Sequence, residues 1–136
     1  FLWHENCYII GMVRKYRILI VDDDKLVRWS LIEVLNQNGY EAISTETGEE
    51  AINRIEWTMF DLVITDLKLP GIGGFDVLNR AKEVNSSTKV IVITGYGSEG
   101  VANEARAKGV ELFVTKPFEI NRMREEVKEI LCHCER

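Results

Sequence analysis

Short apolar runs alternate with longer amphipathic segments five times along this chain, starting at Arg17. The first run, residues 18–21, is continuous and rich in β-branched side chains, which predicts a strand covered on both faces. Each longer segment repeats apolar residues at helical spacing, which predicts a helix with one buried side. Helices between strands allow parallel pairing through right-handed crossovers. The alternation therefore predicts an α/β fold, a three-layer sandwich around a five-stranded parallel sheet.

Local signals mark where the predicted helices begin and end. Asn38 and Gly39 are typical of a helix C-cap, and Thr47 followed by Glu50 has the pattern of a capping box. A helix predicted over residues 98–108 has few large apolar side chains, so we expect it to be weakly held and able to shift. The predicted strands span residues 18–21, 40–44, 62–66, 89–94 and 111–115.

Large side chains within the predicted helices are interpreted as core packing rather than as parts of a cofactor site. This interpretation covers Trp29, Trp57 and Met123. The buried side of the third predicted helix consists of Phe75, Val77, Leu78 and Ala81.

The charge and length of the chain exclude several classes of function. The 17 basic and 22 acidic residues give a net charge of -5 without a long basic run, which argues against direct nucleic-acid binding. No apolar stretch reaches the roughly 20 residues of a membrane helix. A chain of 136 residues fits one domain, which we expect to span residues 15–132. Residues 1–14 are interpreted as an N-terminal extension, vector-derived or poorly ordered, and residues 133–136 as a tail or the start of a linker.

The three cysteines, Cys7, Cys132 and Cys134, lie near the two ends of the chain. They form no even disulfide framework, which predicts a reducing, cytoplasmic environment. The run Cys132-His133-Cys134 could bind a metal, but its spacing does not match the usual zinc sites and no second cluster completes it. We therefore interpret this run as a polar helix end.

Five polar side chains end a predicted strand or directly follow one: Asp22, Asp23, Asp66, Thr94 and Lys116. Parallel strands place their C-terminal ends at the same edge of the sheet, so we expect these side chains to converge. Three carboxylates so close together repel one another, and a cation would relieve this repulsion. Oxygen ligands without a nearby histidine or cysteine favour Mg²⁺, and Mn²⁺ would also fit.

This set of side chains predicts phosphoryl transfer. Asp66 is the candidate nucleophile, since carboxylates can attack phosphorus and form an aspartyl phosphate. A cation held by the three aspartates would screen the anionic phosphoryl group, while Lys116 would pair with its oxygens and Thr94 would donate its hydroxyl. Each residue alone could be a cap, a turn residue or a solvated charge, and only their convergence favours a reactive site.

Four segments jointly resemble the receiver domain of bacterial two-component response regulators, over the chain from about Arg17 to Leu131. They are residues 20–24, residues 63–66 with 69–71, residues 93–98 and residues 113–118. The resemblance implies a flavodoxin-like sheet with strand order 2-1-3-4-5. It also implies roles for individual residues: Asp66 as phosphoacceptor, Asp22 and Asp23 as the metal pocket, the Lys68 backbone carbonyl as a further metal contact, Thr94 and Lys116 as phosphoryl contacts, and a cis bond between Lys116 and Pro117.

The same resemblance implies a signalling role. A sensor histidine kinase would donate the phosphoryl group, and the domain would catalyse only its own phosphorylation and dephosphorylation. Thr94 and Phe113 would move inward on phosphorylation and change the face formed by helix 4, strand 5 and helix 5, which is also a candidate homodimer surface. This face would control an output such as transcription. The Thr-Gly-Tyr-Gly-Ser run at residues 94–98, together with Arg28 and Trp29, looks most like receivers of the nitrogen-regulator type, which control sigma-54-dependent transcription.

Two positions depart from the family pattern. Many members have tyrosine where this chain has Phe113, so a phenol hydrogen bond is lost. Members often have aspartate or asparagine where this chain has Gly73, which predicts a looser loop after Asp66.

Two alternatives come from other classes of function. Residues 18–24 also fit the opening strand of haloacid-dehalogenase-like phosphatases, whose nucleophile would then be Asp22. The chain is short for that family, and Asp66 is the better nucleophile. The second alternative is an interaction module that keeps the fold but works without phosphorylation.

Overall fold

The computed structural model of the chain describes residues 8–9, 12–13, 15–95 and 97–133. One sheet of five parallel strands dominates this part of the chain. Numbered along the chain, these strands lie across the sheet in the order second, first, third, fourth, fifth, which confirms the flavodoxin-like arrangement. Each predicted strand agrees with the observed one to within one residue at either end. The strands are β1 (Arg17–Val21), β2 (Glu41–Thr45), β3 (Leu62–Asp66), β4 (Lys89–Thr94) and β5 (Leu112–Thr115).

A helix follows each strand of this sheet. The helices are α1 (Lys25–Gln37), α2 (Gly48–Trp57), α3 (Gly74–Val84), α4 (Glu99–Ala107) and α5 (Ile120–His133). None of the helices within the described residues is both long and apolar enough to cross a membrane.

The helices begin and end at the capping residues that the sequence predicts, but one capping hydrogen bond has a different partner. Asn38 caps the C-terminus of α1, and Gly39 follows with a φ of 88°, a left-handed conformation that glycine adopts without strain. The Thr47 hydroxyl accepts a hydrogen bond from the Glu50 N–H at 3.1 Å, as predicted. The Glu50 carboxylate, however, accepts from the N–H of Glu46 at 3.2 Å, one residue before the cap. The reciprocal half of the capping box is therefore shifted by one residue.

Alternate residues of the strands pack on opposite faces of the sheet, which produces two cores. On one face, Ile18, Ile20 and Ile64 pack with α1 and α5. On the other face, Leu19, Val21 and Val63 pack with α2 and α3. Both faces of the sheet are therefore covered, which explains the continuous apolar runs in the sequence.

The structure corrects part of the packing interpretation. Met123 is 2% exposed, as predicted, but Trp29 is 61% exposed and Trp57 is 84% exposed. Trp29 points away from the buried α1 stripe that contains Leu31 and Leu35, and Trp57 is the last residue of α2. Both tryptophans therefore lie on the surface, and the interpretation of them as core residues is wrong. In α3, Val77, Leu78 and Ala81 are buried, while Phe75 is only half-buried.

Several predictions concern residues near the chain ends. The expected N-terminal extension includes an antiparallel pair, Tyr8–Ile9 with Met12–Val13. The rest of that segment, with Cys7, lies outside the described residues, as do Cys134 and the residues after it. Cys132 and His133 belong to the last turn of α5. The domain limits of 15 and 132 stay a prediction.

Candidate functional site

The ends of β1, β3 and β5 bring two aspartates and a lysine into direct contact. The Lys116 ammonium lies 2.8 Å from Oδ2 of Asp66 and 2.8 Å from Oδ2 of Asp22. Asp22 is fully buried and Asp66 is 5% exposed, so both carboxylates are largely removed from water. Residues separated by almost a hundred positions thus meet at one edge of the sheet, as the parallel topology predicts.

Asp23 completes an acidic cluster with the two buried aspartates. One carboxylate oxygen from each of Asp22, Asp23 and Asp66 lies within 4.8 Å of the others, and Asp23 is exposed to solvent. Oδ2 of Asp22 is buried and accepts no hydrogen bond of good geometry from the described residues, although it is paired with Lys116. An anionic oxygen with unused acceptor capacity beside two further carboxylates suits a hard cation. The donor set therefore fits a metal site.

The electrostatics of the cluster shift two pKa values. Burial raises the pKa of Asp22, and repulsion from Asp66 adds to this, while the Lys116 contact and the Asp24 N–H act in the opposite direction. Burial lowers the pKa of Lys116, but its close contacts with the Asp22 and Asp66 carboxylates and the attraction to their charges outweigh this effect, so the pKa of Lys116 is raised overall. Lys116 is therefore a cation held in place by two anions.

Thr94 and Lys116 are neighbours across the last two strands. Thr94 is fully buried at the end of β4, and its carbonyl accepts a hydrogen bond from the Lys116 N–H at 2.9 Å. The Lys116-Pro117 bond is cis, as the resemblance implies. Phe113 lies on β5, is half-buried and packs against the core that contains α2 and α3. The switch roles of Thr94 and Phe113 stay predictions.

The loop after β3 is held close to Asp66. The Lys68 N–H donates to Oδ1 of Asp66 at 3.1 Å, and the role of the Lys68 carbonyl as a metal ligand stays a prediction. A Cβ on Gly74 would lie 2.1 Å from the Asp66 carbonyl oxygen, so glycine is required for this close approach. Gly73 is the N-cap of α3 and makes no side-chain cap hydrogen bond.

Arg28 reaches the site from α1, which reasoning from sequence patterns did not foresee. Its Nη1 donates to the Asp22 carbonyl oxygen at 2.8 Å, and its side chain is only 16% exposed. The sequence had indicated Arg28 only as a mark of one subfamily. An arginine six residues after a strand-end aspartate, in the first two turns of a helix, is the signal that could have pointed to this contact.

Comparisons with known proteins point to one family. The family model of the response regulator receiver domain matches residues 18–128. The chain is 36% identical over 115 residues to sporulation initiation phosphotransferase F of Bacillus subtilis, covering 85% of this chain and 93% of that protein. A CheY-like receiver domain protein from Methanospirillum hungatei JF-1 has a TM-score of 0.86 at 33% identity, over 90% of this chain and 98% of that one. The beryllofluoride-activated NtrC4 receiver domain dimer has a TM-score of 0.81 at 32% identity, over 87% of this chain and 98% of that one.

The family match spans every strand end that contributes to the acidic cluster, together with Thr94 and Lys116. The relative from Bacillus subtilis is matched over nearly its whole length. The chain therefore belongs to the response regulator receiver domain family, the phosphoacceptor domains of two-component signalling.

Proposed function

We propose that Asp66 accepts a phosphoryl group from a sensor histidine kinase, assisted by Mg²⁺. Asp22, Asp23 and Asp66 would hold the cation together with the Lys68 carbonyl. The observation that carries this proposal is the Lys116 ammonium, which lies 2.8 Å from both buried aspartates. A cation beside the attacking carboxylate suits an anionic substrate, and the three carboxylates suit a hard metal ion.

The chemistry follows from the placement of these side chains. A carboxylate oxygen of Asp66 forms a bond to phosphorus while the bond from phosphorus to the kinase histidine breaks, and the bonding electron pair stays on the imidazole. Lys116 pairs with the phosphoryl oxygens, and Thr94 donates its hydroxyl to them. When bound, Mg²⁺ neutralises negative charge on the phosphoryl group. Water then hydrolyses the aspartyl phosphate to inorganic phosphate and the free Asp66 carboxylate. The domain therefore catalyses only its own phosphorylation and dephosphorylation.

Acetyl phosphate provides a direct test of the phosphoacceptor. We expect the intact protein with Mg²⁺ and acetyl phosphate to gain one phosphoryl group, stable in acid and removed by hydroxylamine, detected by mass spectrometry. Asp66→Asn should gain none, while Asp76→Asn, at an exposed acid on α3, should behave like the wild type. An adduct on Asp22 in Asp66→Asn would support the phosphatase alternative. The absence of any adduct on the wild type would support the phosphorylation-independent module.

The kinase partner has a suitable surface next to the site. Leu26 is 68% exposed and Trp29 is 61% exposed, and they lie three residues apart on α1. Leu26 lines a groove of about 390 Å³ together with Lys116 and Phe118. Exposed apolar side chains beside a polar site mark an interaction surface, because removing their apolar surface from water lowers the free energy of the complex. We therefore place the phosphohistidine-bearing segment of the kinase on this groove.

The output face is the surface of α4, β5 and α5. Only Ala102 and Ala105 of α4 are buried, and β5 and α5 border a groove of about 280 Å³. A weakly held helix responds to small changes at the site, so phosphorylation would shift its position. The beryllofluoride-activated NtrC4 receiver domain is a dimer, which supports a homodimer of this domain through the same face. Similarity to the transcriptional regulatory protein FixJ supports control of transcription as the output. The nitrogen-regulator assignment and the cytoplasmic location stay predictions.

A further inference from the structure

Arg28 contacts the main chain of the acidic site rather than its carboxylates. Its Nη1 donates to the Asp22 carbonyl at 2.8 Å, and its Nη2 lies 3.7 Å from the Glu46 carboxylate at the end of β2. The Arg28 side chain is 16% exposed, whereas that of Glu46 is 64% exposed. A guanidinium removed from water needs acceptors, and a carbonyl at a strand end provides one. Arg28 thus links α1 to the ends of β1 and β2.

The hydrogen bonds around this contact fix the turn that carries two of the predicted metal ligands. The Asp22 N–H donates to the Thr45 carbonyl at 3.2 Å, and the Arg28 N–H donates to the Asp24 carbonyl at 3.1 Å. The Asp24 N–H donates to Oδ1 of Asp22 at 2.9 Å. The Arg28 side chain holds the Asp22 carbonyl, which belongs to the peptide between Asp22 and Asp23. The orientation of that peptide determines where both carboxylates lie.

We propose that Arg28 is a positioning residue for the metal site, which holds the peptide between Asp22 and Asp23 so that both carboxylates face one cation. This inference rests on the proposed function, which assigns the cation to these aspartates. The guanidinium presents its donors in a rigid planar fork, so it can bond the carbonyl while remaining beside Glu46. Lysine retains the charge but offers one compact ammonium on a flexible stem, so it cannot reproduce this geometry.

Binding of Mg²⁺ to the full chain tests the proposal without any reaction. Side chains that orient metal ligands typically change affinity by 10-fold to 100-fold when they are replaced. We expect Arg28→Lys and Arg28→Gln to raise the Kd for Mg²⁺ by about tenfold in isothermal titration calorimetry. Arg17→Gln is the matched control, because Arg17 lies at the other end of β1 in an exposed ion pair with Glu41. Its Kd should equal that of the wild type.

A purely structural role for Arg28 would give a different result. In that case the variants would unfold at a lower temperature without metal, yet bind Mg²⁺ with the wild-type Kd, and the proposal would be overturned. Amide NMR spectra of the metal-free variants show whether they are folded. If Arg28→Gln does not fold, Arg28→Lys decides the question.

Phosphorylation of the wild type by acetyl phosphate separates this inference from the proposed function. A wild type that gains the phosphoryl group, with Arg28 variants of unchanged Kd, overturns the inference alone. A wild type that gains none, with Arg28 variants of raised Kd, supports the inference and overturns the phosphoacceptor proposal alone.

Discussion

Folding buries the Asp22 carboxylate and thereby opposes its ionisation. Its pKa is raised above the ordinary 3.8, chiefly by burial. Between 3.8 and the raised value, the folded protein binds more protons than the unfolded chain, so the free energy of unfolding falls as pH rises through this range. Lys116 also has a raised pKa, so stability falls again as pH rises above the ordinary lysine value of 10.5. Neutralising Asp22 should therefore stabilise the metal-free protein.

We expect Asp22→Asn to raise the free energy of unfolding without metal by about 0.5 to 2 kcal/mol near neutral pH. The amide keeps the Oδ1 acceptor for the Asp24 N–H, and Lys116 keeps its contact with Asp66. Urea denaturation in a chelator over a pH series should also show a smaller loss of stability above pH 3.8 than in the wild type. A variant less stable than the wild type in the chelator would contradict this account. With Mg²⁺ present the order should reverse, because only the wild type gains binding energy from the metal.

Among the helices, α4 has the weakest attachment to the sheet. Its buried residues are Ala102 and Ala105, whereas α3 buries Val77 and Leu78 in addition to alanine. Burial of apolar area stabilises a helix against its sheet by roughly 25 cal/mol per Å², and alanine supplies little area. The helix therefore depends largely on local terms such as its N-cap, where the Ser98 hydroxyl accepts from the Val101 N–H at 3.2 Å.

Gly100 offers a way to change this local stability without touching the site. A Cβ there would meet only the Ser98 hydroxyl at 4.0 Å, so alanine fits. We expect Gly100→Ala to stabilise α4 by roughly 0.5 to 1 kcal/mol, because alanine loses less backbone entropy on entering a helix. Hydrogen exchange should slow in α4 and change less when beryllofluoride and Mg²⁺ are added. If exchange in wild-type α4 and β5 is unchanged by beryllofluoride, the switch itself is wrong.

At the scale of the whole molecule, the four most exposed large apolar side chains among the described residues lie at two separate places. Leu26 lines the groove that includes Lys116, and Trp29 lies three residues further along α1. Trp57 lies at the far end of α2, with Met59 in the loop that follows. Only the first pair is next to the phosphoacceptor site, so only this pair is placed to contact a kinase during transfer.

The two tryptophans make a matched comparison. We expect Trp29→Ala to slow phosphoryl transfer from a sensor kinase that phosphorylates the wild type by about tenfold, equivalent to ~1.4 kcal/mol of transition-state stabilisation. Phosphorylation by acetyl phosphate should be unchanged, because that donor needs no docking surface. Trp57→Ala should match the wild type with both donors. An equal loss in both variants would argue against docking on α1.

The order of residue types along the chain was enough to predict the sheet and the meeting point of its strand ends. Alternation of apolar runs with amphipathic segments reports burial on two faces, and parallel pairing then brings Asp22, Asp66 and Lys116 to one edge. Periodicity describes one element at a time, however, and contains no information about which side chain fills the space between elements. It therefore did not distinguish exposed Trp29 and Trp57 from core residues.

Contacts between side chains of different elements became known only from the packed fold. The sharing of Lys116 by two aspartates, the hydrogen bond from Arg28 to the Asp22 carbonyl and the shifted partner of Glu50 all depend on distances between separate segments. These distances follow from how the helices pack on the sheet. That packing is set jointly by the many side chains of the two cores, so no local sequence pattern predicts it. The chemistry of the site was readable from residue types, because charge and position at a strand end are local, while its geometry required the packed fold.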